Sequence, residues 1–185
     1  MLFDLTNHFL IAMPSLEDPN LARTVTYVCA HNDGGAMGIV ITRPMEMALG
    51  EVLEQLKLDA SDPRISAQTV YAGGPVHRER GFIIHRPVKD YGSTIQVSED
   101  IAVSTSRAIL EAISRGDGPD ETLIALGYAG WSAGQLEEEM QHNAWLSGPA
   151  APELLFHVAA ERRWHDAAAL LGVDLALLSG DVGHA

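Results

Sequence analysis

Apolar residues fall along this chain in two rhythms. From His8 the run HFLIAM is short and continuously apolar, which predicts a strand, and PSLEDPN then bends the chain with two prolines. In TVTYVCAH, Val25, Tyr27 and Cys29 alternate with Thr26, Val28 and Ala30. Neither set is strongly polar, so this strand is expected to be covered on both faces. Asn32-Asp33-Gly34-Gly35 supplies residues that accept positive φ, so the strand should pair with AMGIVITRP as a hairpin. Pro44, lacking an N–H, is expected to end it.

Helical spacing begins at Leu49, with Val52, Leu53 and Leu56 on one stripe and Glu51, Glu54 and Lys57 opposite. Asp62-Pro63 is read as a break. TVYAGG, a turn at Gly73-Gly74-Pro75, RGFIIHRP and STIQVS are β-rich, and IAVSTS leads into a helix with Ile109, Leu110 and Ile113 buried. Ser106 or Thr105 should cap that helix and Gly116 should follow its end. TLIALGYA reads as a buried strand, AGQLEEEMQ as a helix, and NAWL and ELLFHVA as strands. A last helix carries Trp164, Ala167, Ala168 and Leu171 on one side and stops at Gly172, and the tail DVGHA is expected to fray. Strands and helices do not alternate regularly, so an α+β fold with a mixed sheet fits better than βαβ winding. No linker divides the chain, and residues 1–185 are expected to form a single domain.

Composition narrows the function. The 185 residues carry a formal charge of −13, which repels polyanions and disfavours nucleic acid as a partner. One basic stretch, HRERGFIIHRPVKD, holds Arg78, Arg80, Arg86 and Lys89 and is read as a charged, solvated strand edge. No apolar run is long enough to span a bilayer, and the start carries Asp4 where a signal peptide would be positive, so a soluble cytoplasmic protein is expected. Cys29 is the one cysteine, which excludes an intramolecular disulfide and a cysteine-based zinc cluster.

Gly130-Trp131-Ser132-Ala133-Gly134 matches the G-x-S-x-G of a hydrolase nucleophile elbow, between an expected strand and an expected helix. The rest of a triad is not evident. His142, His157, His165 and His184 follow, but Asp166, Asp174 and Asp181 all come later than the better-placed histidines. The structural reading requires less: Ser132-x-x-Gln135 fits a capping box, and Glu137, Glu138 and Glu139 suit the positive end of a helix dipole. Ser132 is therefore assigned to a helix start, with catalysis as the alternative.

Other candidates are weaker. His77 and His85 flank the RGFII strand without metal-ligand spacing, and no metal site or cofactor is assigned. His31, next to Asn32, could bond the hairpin loop. Cys29 is read as an inert core residue. Trp145 is assigned to packing, whereas Trp131, flanked by glycine and serine, is expected to be partly exposed and to mark a contact patch.

Three long stretches together resemble the YqgE/AlgH family of bacterial proteins: FLIAMPSLEDPNLARTVTYVCAHNDGGAMGIVITRP, YAGGPV with GFIIH, and LGYAGWSAGQLEEEM with NAWL. The likeness runs from about Phe9 to Trp164. It implies an α+β fold whose sheet curls into a pseudo-barrel with helices packed outside. Members of that family are described as transcriptional regulators on indirect grounds, with no established catalytic residue or cofactor, and often have a small residue where Ser132 stands. The resulting expectation is a non-enzymatic regulatory or interaction module acting through a protein or small-molecule partner. A small serine esterase and a DNA-associated regulator are the alternatives. The binding surface is expected on the loops His31 to Gly35, Gly73 to His77 and Gly127 to Gln135, with His31, Asn32, Gly73, Gly74, Pro75, Trp131 and Gln135, together with His85.

Overall fold

A computed structural model describes residues 4–178. The strand at His8–Ala12 (β1) leads into the hairpin of Val25–Asn32 (β2) and Gly35–Val40 (β3), in which Asn32 faces Gly35 and only Gly35 uses a positive φ, 133°. Pro44–Ala48 follows as β4. Pro44 thus opens a strand where it was expected to close one, which a proline can do at the first residue of an edge strand. Leu49–Gln55 forms α1 with Leu49 and Leu53 buried. Asp62 does not break the chain either. Its carboxylate accepts the N–H of Arg64 and caps the short helix Pro63–Ser66 (α2), with proline at the position that needs no N–H.

Thr69–Ala72 (β5), Val76–Arg86 (β6), Thr94–Gln96 (β7) and Ala102–Ser104 (β8) come next, so the expected IAVSTS lead-in contains a strand of its own. Ser106 caps Arg107–Ser114 (α3) by accepting the Ile109 N–H, and Gly116 turns the chain out of it at φ 82°. Glu121–Ser132 (β9) spans twelve residues, about 36 Å at ~3.3 Å per residue. Gln135–Gln141 (α4) and Trp145–Pro149 (β10) follow. ELLFHVA, read as a strand, is instead the helix Pro152–Phe156 (α5), again with proline in its first turn. Ala160–Ala169 (α6) buries Trp164, Ala167 and Ala168, but Leu171 lies beyond the helix end and is 37% exposed. The tail DVGHA, with His184, lies outside the described residues.

The described strands form one sheet in the order β10-β1-β2-β3-β9-β6-β8-β7, with β5 also on β9 and β4 on β5. All pairs are antiparallel except β5 with β9, which makes the sheet mixed. Strand alternation sorts its side chains onto two faces. Phe9 and Ile11, Phe82 and Ile84, and Leu123 and Ala125 pack with Trp164 and Ala167 of α6. Leu10 and Ala12 turn the other way, toward Trp131, Trp145 and Leu136 of α4, while Ile83 and Ile124 meet Leu53 of α1 and Ile109 of α3. The curled sheet is a half-barrel.

One helix clasp was not foreseen. Arg163 is only 4% exposed, and its guanidinium donates to the carbonyls of Val158, Ile41 and Leu155 at 3.1, 2.5 and 3.1 Å while lying over the Tyr71 ring. It ties α5 and α6 to the strand edge.

Candidate functional site

Strand β9 is a ruler on which the expected binding residues fall at three separate places. At its C-terminal end Ser132 faces Gly35 and Trp131 faces Ala36, so the hairpin loop and the start of α4 do come together. At its N-terminal end His85 faces Thr122. Between them, Gly73 and Gly74 press against Gly127 and Tyr128: a Cβ on Gly73 would stand 2.3 Å from the Gly127 carbonyl oxygen, and one on Gly74 2.1 Å from the Tyr128 carbonyl carbon.

At the C-terminal end two of the four expected residues, His31 and Trp131, face inward, whereas Asn32 and Gln135 are exposed. His31 is 5% exposed; its Nδ1 accepts the Leu5 N–H at 3.0 Å, and its Nε2 meets Glu137 Oε1 at 3.2 Å. That contact is the leading cause holding the Glu137 carboxyl below its usual range. Trp131 is 6% exposed, so the partial exposure expected for it is not found. Its indole packs edge-on against Trp145, and both N–H groups donate to Glu139. Asn32 is exposed and its side chain accepts the Gly34 N–H at 2.7 Å, an Asx turn that shapes the hairpin.

Ser132 is the last residue of β9, not the cap of α4; the capping position belongs to Gly134, at φ 78°. Half of the expected capping box forms. The Gln135 side chain reaches back to accept the Ser132 N–H at 3.0 Å, but the hydroxyl, 3.3 Å from the same oxygen, donates to it instead of accepting the N–H of residue 135. Among the described residues no imidazole bonds this hydroxyl.

A serine–histidine contact lies at the other end. His85 Nδ1 donates to the Pro87 carbonyl at 3.2 Å, which leaves Nε2 to accept from the Ser104 hydroxyl at 2.7 Å. Ser104 in turn contacts Thr94 Oγ1 at 2.7 Å, and Thr94 accepts the Tyr91 N–H at 2.9 Å. Both His85 and Ser104 are fully buried, and the imidazole is oriented by a carbonyl rather than an acid. This chain of bonds joins β6 to β8 and β7; burial holds the His85 pKa below its usual value. Cys29 is buried as well, and burial pushes its thiol far up, in keeping with an inert core residue.

The middle of β9 is where the surface opens. β3 runs antiparallel to β9 and β5 runs parallel to it along the same flank, so their C-terminal ends point at one another and meet beside Gly127. The Val40 N–H donates to the Gly73 carbonyl across this junction, and the Gly73 N–H to Leu126. Beyond it the two chains diverge, leaving a recess of about 230 Å³. Its floor is apolar, from Val40, Met45, Ala72 and Leu126, and its rim holds Arg43, Arg78 and the Gly74-Pro75 turn.

The charges at that rim are the unusual feature. Arg43 is aimed by two carbonyls, Asn20 at 2.7 Å and Ala22 at 3.0 Å, so its guanidinium is fixed without an acid. Arg78 sits in a bulge where His77 to Arg80 stand opposite the single residue Gly127, because pairing with β9 jumps from Val76 to Gly81. β6 is interior only at Ile83–His85, where β8 pairs with it; its Val76–Phe82 half pairs with β9 alone, so Arg78 and Arg80 lie on an exposed, charged strand edge as expected, bulged away from β9. Neither arginine forms a salt bridge among the described residues, in a chain of net charge −13. Sequence reasoning found the Gly73-Gly74-Pro75 side of the recess but missed Arg43, whose signal, an arginine directly before Pro44, has no ligand-binding meaning by itself.

These elements define an α+β half-barrel with a glycine-lined recess at the point where two strands run out on one neighbour. The chain belongs to the AlgH-like family, whose model matches residues 9–176. UPF0301 proteins of Thioalkalivibrio sulfidiphilus and Nitrosococcus oceani are 54% and 51% identical to it, each match covering 97% of this chain and 96% of the relative. The solution structure of the AlgH protein from Pseudomonas aeruginosa superposes with a TM-score of 0.82 at 52% identity, covering 97% of this chain and 95% of that one. A crystal structure from Corynebacterium diphtheriae, 21% identical, shares the fold with a TM-score of 0.76 over 95% of this chain and 91% of its own. No helix among the described residues is long and apolar enough to cross a membrane.

Proposed function

We propose that this protein is a non-enzymatic binding module of the cytoplasm, and that its ligand presents one anionic group beside a compact apolar one to the recess at Gly73-Gly74-Pro75. The observation that carries this reading is the pairing of two arginines lacking carboxylate partners with an apolar floor at one strand junction. Arginines are seldom placed side by side without a counter-charge, and an arriving anion supplies it with charge-assisted hydrogen bonds. The site also lies where the C-terminal ends of β3 and β5 meet on one flank of β9, and the recess beside that junction is concave and apolar-floored, as ligand sites are. Regulation then follows from occupancy of the recess, not from contact with DNA, which the overall charge opposes.

The test is an NMR titration of the ¹⁵N-labelled chain with N-acetyl-leucine and with phenyl phosphate. The amides of Gly73, Gly74 and Leu126 should move with at least one of them. If both leave those amides in place up to their solubility limits, the recess is not an anion site and the reading fails.

A further inference from the structure

Resting on that reading, the geometry points to a more definite ligand: we infer that the recess takes the C-terminal residue of a partner polypeptide, with the α-carboxylate on Arg43 and Arg78 and an aliphatic side chain on the floor.

Size is the first argument. At about 230 Å³ the recess falls below the ~300–1,000 Å³ of pockets that enclose a drug-sized molecule or cofactor. It holds one side chain, so a larger ligand must continue outside it. The floor suits that side chain, since Val40, Met45, Ala72 and Leu126 offer branched, small or thioether surfaces, with Asn20 the one amide side chain in the lining.

The shape of the charge is the second. Arg43 already spends N–H groups on the Asn20 and Ala22 carbonyls, which fixes the plane of its fork. A planar fork matches a planar carboxylate better than it matches a point charge. The Gly74 N–H makes no hydrogen bond among the described residues and stands at the same rim, the arrangement by which backbone donors capture chain termini.

The third argument is the path out. Arg43 leads directly into β4, which pairs with β5 along one side and with no described strand along the other. A chain leaving the recess with its carboxylate at the Arg43 end would run antiparallel to β4 and could bond to that open edge. Strand addition of this kind gives affinity through the main chain while the recess selects the last side chain.

The experiment compares three probes on the full chain by the same titration. These are acetyl-Gly-Ser-Gly-Ser-Val-Leu with a free carboxylate, the same peptide as its C-terminal amide, and N-acetyl-leucine. The acid peptide should move the Gly73, Gly74 and Leu126 amides together with those of Met45 to Met47. The amide and N-acetyl-leucine should each bind at least tenfold more weakly, the first for lack of charge and the second for lack of main-chain pairing. Arg78→Ala, an exposed change that leaves the fold intact, should weaken the acid peptide at least tenfold. Equal binding of acid and amide, or N-acetyl-leucine binding as tightly as the peptide, overturns the C-terminus assignment; the latter result leaves the anion recess standing. If none of the probes moves the recess amides, the C-terminus assignment falls, and a response to phenyl phosphate alone would still preserve the anion reading.

Discussion

Trp131 and Trp145 donate their indole N–H groups to the same carboxylate oxygen, Glu139 Oε1, at 3.0 and 2.9 Å, while their rings meet edge-on with centroids 6.2 Å apart. The other oxygen of Glu139 accepts the Gln135 side-chain N–H at 2.9 Å. One glutamate on α4 thus fixes the last turn of β9 and the start of β10. Glu139→Ala leaves two part-buried indole donors unpaired, and charge-assisted bonds of this kind contribute roughly 1.5–3 kcal/mol each before water recovers part of the loss. Urea unfolding is expected to show a destabilisation of about 2–4 kcal/mol, with a change in tryptophan emission in the folded state. Glu139→Gln, which keeps an acceptor, should lose clearly less.

The close approach of Gly74 to Tyr128 yields a sharper prediction. Gly74 has φ 152° and no room for a Cβ, because the obstructing atoms belong to the backbone of β9 and cannot swing aside. Gly74→Ala combines backbone strain with overpacking, each about 1–3 kcal/mol, so a loss of roughly 2–5 kcal/mol is expected from chemical denaturation. Gly134→Ala is the comparison. Its added Cβ would meet nothing within 4 Å, so only the positive-φ strain of about 1 kcal/mol or somewhat more should appear.

Much of this architecture can be read from local pattern, and the exceptions share a cause. The two-sided burial of β2 follows from its unbroken apolar alternation, and Val25, Tyr27 and Val28 are indeed fully buried. Ser106 and Gly116 bracket α3 as their side chains dictate. ELLFHVA misleads because a short apolar run looks alike in a buried helix and a buried strand, and only Pro152 at its head favours the helix. Trp131 misleads for another reason: its flanking glycine suggests exposure, but the destination of its indole depends on Glu139 and Trp145, which tertiary folding brings to it. The recess is of this second kind. Arg43 and Gly74 belong to different connections and become neighbours only because β3 and β5 end against the same glycine of β9.

Acid should destabilise the protein through groups that can be named. The hydrogen bond from Arg86, reinforced by the neighbouring charges of Arg86 and His157, holds the Glu121 carboxyl below its usual value against an opposing push from burial. A carboxyl depressed in the folded state contributes stability above its unfolded pKa and loses that contribution as pH falls through its folded value. Glu121→Gln should therefore be less stable than the parent near neutrality, and the difference should shrink as pH drops below the ordinary glutamate range. For His85 the folded pKa is lowered by burial, so the unfolded chain binds the proton first and stability declines as pH falls below the usual histidine value. The His85 ring resonances should stay those of the neutral form as pH falls through the usual histidine value. A His85 that titrates at or above the usual histidine value would contradict its place in the Ser104 network.

Ser132 supplies the test of the non-catalytic reading. A serine becomes a nucleophile when a base takes its proton as the oxygen attacks, and imidazole does so because its protonated form is stable near neutral pH. The acceptor beside Ser132 is the amide oxygen of Gln135, which takes no proton in this range. The hydroxyl keeps the low reactivity of an ordinary alcohol even though strand, turn and helix follow one another as in a hydrolase. A fluorophosphonate probe is expected to leave Ser132 unlabelled in the folded protein, and Ser132→Ala should change stability by less than about 0.5 kcal/mol, as an exposed substitution does. Gln135→Ala should cost more, because its side chain also bonds Glu139 and so supports the tryptophan pair. Stoichiometric labelling that disappears in Ser132→Ala would reinstate the esterase alternative, since it would require a base to reach this oxygen that the folded arrangement of Gln135 and His31 does not provide.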